Sequence, residues 1–194
     1  FYVEALYAEK YYSRIIKFYQ EGILTKKWRL PEETQLYWTA LSYIKRRNIP
    51  EGRSTIYKLE RLNPESRYLP ILFDAFASRY MLDSEIKKAQ FWWDRLLKKF
   101  PKHRLAPKSA WRLAWSHKQK NNIKKALLYL KRGLNTRIFN SEMQAKMLYW
   151  QGKFLQESGQ TDLAEKSFKR LILHKPNTYY GMRLLSEKDI PESI

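Results

Sequence analysis

The 194-residue chain contains no cysteine. Disulfides and thiolate metal sites are therefore excluded, although the compartment is not, because exported and cytosolic chains alike can lack cysteine. Histidine is scarce: His103, His117 and His174 stand far apart, without His-x-x-x-His spacing or the Glu of a zinc motif. Each reads as a surface or helix-end residue, and neither a metal nor any other cofactor is expected. The six glycines are solitary and supply no phosphate-cradling loop. No apolar run is long enough to span a bilayer, and no charged-then-apolar leader opens the sequence. Phe1, not Met, stands first, as expected of a processed product or a segment of a longer protein whose targeting information has been removed. Strand periodicity never persists beyond a few residues.

What is present is helical punctuation. Hydrophobic content of 44%, with 15% aromatic, argues against disorder. In Ala145–Gly181, Leu148, Leu155, Ala164, Phe168, Leu171 and Ile172 recur at helical spacing, Gly159 and Gln160 interrupt the pattern, and Pro176 ends it. Two antiparallel helices packed this closely need small side chains where their backbones approach, here Gly152 and Ala164. The same frame recurs upstream. Small residues at the first of these positions are Ala40, Ala77, Ala114 and Gly152, and at the second Gly52, Ala89, Ala126 and Ala164. An apolar residue follows at Ile56, Trp93, Leu130 and Phe168, and the closing position holds Pro64, Pro101, Ile138 and Pro176. This pattern resembles the tetratricopeptide repeat (TPR) and predicts an all-α fold, a right-handed α-solenoid of stacked TPR-like helix pairs. The expected helices pair 32–47 with 51–62, 67–82 with 85–100, 107–120 with 122–135 and 142–158 with 161–174. One superhelical domain is expected over 1–194: an N-terminal helix and connector at 1–30, repeats at 31–66, 67–103, 104–140 and 141–177, and an exit segment at 178–194. Phe1–Gln20 reads as one helix, which either caps the array or is the second helix of a truncated earlier repeat.

The third and fourth pairs add a second resemblance. Ala110–Trp111, Leu113–Ala114–Trp115, Tyr149–Trp150, Gly159, Ala164 and the Tyr179–Tyr180–Gly181 exit are similar to the helical superhelix of soluble lytic transglycosylases. The likeness covers roughly the last half of the chain; residues 1–100 share only the repeat frame. It implies a non-catalytic segment from the periplasm or cell envelope that positions peptidoglycan glycan strands or braces a catalytic domain. In that family the catalytic acid is a Glu followed by Ser, with a Gly-Leu-Met-Gln run downstream. Glu192–Ser193 matches only superficially, since no such run follows and nothing is available to desolvate the carboxyl. No catalytic residue is expected in this chain, and the enzyme domain is expected beyond Ile194.

The charge pattern is the strongest functional signal. Formal net charge is +19, from 38 Lys and Arg against 19 Asp and Glu, and between Arg95 and Ser141 there is no acid at all. Fourteen cations fall in that window; Lys98 and Lys99 suit a helix C-terminus, but an uncompensated excess of this size points to a polyanionic partner. The repeat frame places Lys108, Trp111, Trp115 and Lys118 on the inner face of the third repeat and Lys146, Tyr149 and Lys153 on that of the fourth; with the neighbouring Arg112 these are the candidate glycan- or polyanion-binding residues. Aromatic faces interleaved with cations suit sugars and carboxylates, and equally bases and phosphates. Trp111 and Trp115 are alternatively a packed pair between repeats; Trp92, Trp93, Tyr11 and Tyr12 read as packing, and Asp74 and Asp94 as ion-pair partners inside the stack. Three readings stand: a transglycosylase superhelix on peptidoglycan, a basic repeat module for RNA or DNA, and a TPR scaffold whose lysines clamp an acidic peptide.

Overall fold

The computed structural model describes residues 2–136 and 140–187, and it is all-α. Among the described residues there are twelve helices and no strand. After α1 (Tyr2–Ala8), α2 (Tyr12–Gln20) and the short α3 (Ile23–Lys26) come eight helices, paired in chain order by short turns. These are α4 (Glu32–Lys45) with α5 (Ile49–Leu62), α6 (Leu69–Leu82) with α7 (Ile86–Lys99), α8 (Ala106–Lys118) with α9 (Ile123–Leu134), and α10 (Ser141–Glu157) with α11 (Thr161–His174). Every end of these eight helices lies within two residues of its expected position.

The hairpin turns repeat in atomic detail. Arg47, Ser84, Asn121 and Gly159 each adopt positive φ, at steps of 37, 37 and 38 residues. In each turn the next amide reaches back five residues: Asn48 to the Tyr43 carbonyl, Glu85 to Tyr80, Asn122 to His117 and Gln160 to Leu155, at 2.8–3.0 Å. This left-handed C-terminal cap satisfies helix-end carbonyls and reverses the chain in three or four residues. Only the last turn uses glycine, the residue that bears this conformation without steric cost.

Small residues sit where the frame requires them. Ala40, Ala77, Ala89, Ala114 and Ala126 are fully buried and Ala164 nearly so. At Gly152 the ring of Phe168, one turn beyond Ala164, occupies the space a Cβ would need. The apolar position holds Ile56, Trp93, Leu130 and Phe168, all at 2% exposure or less. Burying such side chains contributes about 1.5–3 kcal/mol each, so the repeat frame is also the stability frame.

Two expectations fail locally. The stretch read as one helix over 1–20 is broken: Lys10 takes positive φ and the Tyr11 amide closes on the Leu6 carbonyl, ending α1 before α2 begins. The break lets Val3, Leu6, Ile15 and Leu24 form one cluster under Tyr7, Phe18, Trp28 and Trp38. Trp92 and Trp93 are buried as expected and Tyr12 packs edge-on against Tyr7, but Tyr11 is 55% exposed. Beyond the last hairpin the chain forms a further helix, α12 (Tyr179–Ser186). Ile138, assigned to the third closing position, and Arg137, one of the fourteen cations, lie outside the described residues.

The chain divides into two compact units, 1–89 and 90–194. In the first, α2 and α6 pack on α4, which packs on α5. In the second, α9 and α11 flank α10, α8 packs on α9, and α12 packs on α10 and α11. Among the described residues no helix is long and apolar enough to cross a membrane.

Candidate functional site

The expected site residues lie in the second unit, on α8 and α10, and the structure sorts them into three groups. Trp111 and Trp115, one turn apart on α8, stack at 5.4 Å between ring centroids with planes 27° apart. From α10, Trp150 meets Trp115 at 5.0 Å edge-on and Trp111 at 6.4 Å, and Phe154 meets Trp115 at 6.4 Å. All three tryptophans are half-buried, so the cluster joins the two helices and also reaches solvent. Trp150 extends the aromatic surface beyond the expected set, and the buried Phe154 packs beneath it. Their signal in the sequence is the spacing Lys146, Trp150, Phe154, one turn apart each, which marks a single stripe of α10.

Lys146 is the cation this cluster holds. Its ammonium sits 4.2 Å from the Trp111 ring centroid, a cation–π contact strengthened by partial removal from water. Burial pushes its pKa below the usual lysine value, and among the described residues no carboxylate lies within salt-bridge distance of it. Lys108, one turn before Trp111 on α8, is exposed.

The remaining cations are engaged. Lys118 bonds Glu157 at 2.7 Å and lies over Phe154. Arg112 turns to the other side of α8, with its guanidinium 4.9 Å from the Trp93 ring. Lys153 binds Glu187 at 2.7 Å. The acid-free stretch is likewise compensated from outside itself: Asp94 takes Lys98 at 2.6 Å, the Tyr129 hydroxyl at 3.1 Å and Arg132 at 3.8 Å. Asp94 is thus the ion-pair residue expected, with Lys98 and Arg132 as partners.

Tyr149 does not reach the surface. It is 1% exposed; its ring packs against Tyr180 and Phe168, and its hydroxyl donates to Glu187 at 2.5 Å. Burial would raise the Glu187 pKa, but hydrogen bonds from Lys153, Tyr149 and Arg183 outweigh it and hold the carboxyl at about 2. This knot locks α12 onto α10. Gly181 seats the start of α12 on the segment that follows α11, because a Cβ there would strike the carbonyls of Lys175 and Pro176. Glu192, read as no catalyst, lies outside the described residues. Among the described residues no cluster of acidic or histidine side chains could hold a metal ion.

Comparison with known proteins places this geometry. Residues 146–178 match the tetratricopeptide repeat. The match takes in most of α10 and all of α11. The chain is similar in structure to the C-terminal part of a TPR repeat-containing protein from Cytophaga hutchinsonii. That likeness has a TM-score of 0.57 and 15% identity, over 94% of this chain and 69% of that one. It is also similar to BtubC (BKLC) from P. vanneervenii, with TM-score 0.55 and 17% identity over 92% of this chain and 76% of that one. At such identities the likeness is one of fold. No curated protein sequence matches the chain. The fold is thus that of a TPR-like helical-repeat protein.

Proposed function

We propose that the chain is a docking scaffold whose α8–α10 face takes a carboxylate-bearing segment of a partner protein. One observation carries the reading: the Lys146 ammonium is held half-buried over Trp111 with no acid to neutralise it. A desolvated cation without a counter-ion costs stability, and an incoming carboxylate offsets that cost by accepting hydrogen bonds from the ammonium. Lys108 and the half-buried tryptophans add a second cation and an apolar bed. Base or sugar stacking is less well served, since Trp111 is covered by Lys146 on one side and by Trp115 on another.

Titration calorimetry with a flexible Glu- and Ser-rich peptide tests this. Binding is expected to weaken about tenfold in Lys146→Met, equivalent to ~1.4 kcal/mol, while the melting temperature stays level or rises because the buried charge is gone. Equal binding by the variant overturns the reading.

A second reading rests on the Tyr179–Tyr180–Gly181 exit, the piece most specific to the resemblance with lytic transglycosylases. Its Tyr180 packs on Tyr149 of α10, and its Gly181 sits against the Lys175 and Pro176 carbonyls that follow α11. In that reading the chain is the non-catalytic superhelix of a cell-envelope enzyme. Retention of the chain on insoluble peptidoglycan in salt, lost on Trp115→Ala, supports it; retention on single-stranded RNA with a steep salt slope points instead to a nucleic-acid module.

A further inference from the structure

A second surface lies on the opposite helices of the same two repeats. Where α9 and α11 flank α10 they leave an open trough of about 900 Å³. Leu148 and Leu155 of α10 form its floor, with Leu127 and Leu128 of α9 on one wall and Leu163 of α11 on the other. Leu128 and Leu163 are 45% and 47% exposed, an unusual setting for two leucines facing one groove. Around them stand Lys124, Lys125, Lys131, Lys166 and Arg170, and no acidic residue lines the trough. Among the described residues none of these five cations has a carboxylate within salt-bridge distance, in contrast to Lys118, Lys98 and Arg132 nearby.

We propose that this trough docks an acidic amphipathic helix of a partner protein. The lining chooses the occupant. It contains no aromatic side chain, so it has no stacking face for bases or sugar rings. Its apolar surface is recessed between two helices, where a flat bilayer surface does not reach. Aliphatic side chains in a furrow flanked by cations complement a helix with an apolar stripe and Glu or Asp on both shoulders. The N-termini of α9 and α11, at Asn122 and Gln160, both open at the trough and add positive potential. The 12 residues of α9 span about 18 Å, which fits a ligand helix of three to four turns.

The probe is a dye-labelled synthetic helix of that length, with Leu at i, i+3, i+4 and i+7 and Glu elsewhere, titrated by anisotropy against the full chain. A scrambled peptide of the same composition is the control. The ordered peptide is expected to bind at least tenfold tighter than the scrambled one. The pair Leu128→Ser with Leu163→Ser is expected to weaken binding about tenfold, and Lys124→Glu with Lys131→Glu by more, with a flatter salt dependence. These positions are exposed, and retained helical circular dichroism verifies that the variants fold. Equal binding of the scrambled peptide, indifference to the leucine pair, or displacement by single-stranded RNA that is itself lost with the leucine pair overturns the proposal. Loss in Lys146→Met alone also overturns it, by moving the peptide to the α8–α10 face; the two surfaces therefore fail separately.

Discussion

Glu187 shows what a single residue does for the end of the molecule. It accepts from Lys153 at 2.7 Å, Tyr149 at 2.5 Å and Arg183 at 3.0 Å. Its pKa in the folded chain, about 2, lies below the ordinary 4.5. The folded state therefore binds fewer protons than the unfolded state between these values. The stabilisation is complete above pH ~4.5 and disappears as pH falls through ~2. Urea unfolding of the chain and of Glu187→Gln is expected to differ at pH 7, with the gap closing steadily below pH ~4.5. A gap independent of pH would remove the ion pair from the account. Gly152 is the opposite case, a residue defined by what it lacks. Because Phe168 fills its Cβ position, Gly152→Val is expected to lower stability by about 2–4 kcal/mol, read from denaturant midpoints.

At the scale of the element, the hairpin turns set the geometry. Three of the four left-handed caps are occupied by residues with a Cβ: Arg47, Ser84 and Asn121. A left-handed conformation costs a non-glycine residue about 1–2 kcal/mol, whereas glycine's extra freedom in the unfolded chain costs about 0.5–1. Ser84→Gly is therefore expected to raise stability by about 0.5 kcal/mol, and Gly159→Ala to lower it by about 1. The two together test whether the repeat turns share one conformation, since a fold without it would show no such opposition. Helix starts depend on the same kind of local chemistry. Asn122, Asn140 and Thr178 accept from the amides of Lys125, Met143 and Gly181, capping α9, α10 and α12.

For the molecule as a whole the net charge of +19 governs behaviour in solution. Self-repulsion of the excess cations opposes folding and is screened by salt, while the ion pairs on its surface are individually weak. The melting temperature is expected to rise as salt increases from ~0.05 to ~0.3 M, and a fall would mean that surface ion pairs dominate. The sequence by itself determined the repeat. Its period, its helix pairs, its small buried residues and its turn positions all follow from rules that act over one or two turns of helix and then recur about every 37 residues. The grouping of Trp111 with Trp115 was equally open to reading, being one turn of α8. Apart from pairs one helical turn apart, such as Asp94 with Lys98, the pairing of charge was decided by tertiary structure. Lys118 meets Glu157 from 39 residues away and Tyr129 meets Asp94 from 35, so an acid-free stretch of chain does not make an unpaired surface. The burial of Tyr149 and the seating of α12 belong to the same class. Each depends on how one helix pair is rotated against the next, a quantity that residue spacing along the chain leaves open and packing fixes.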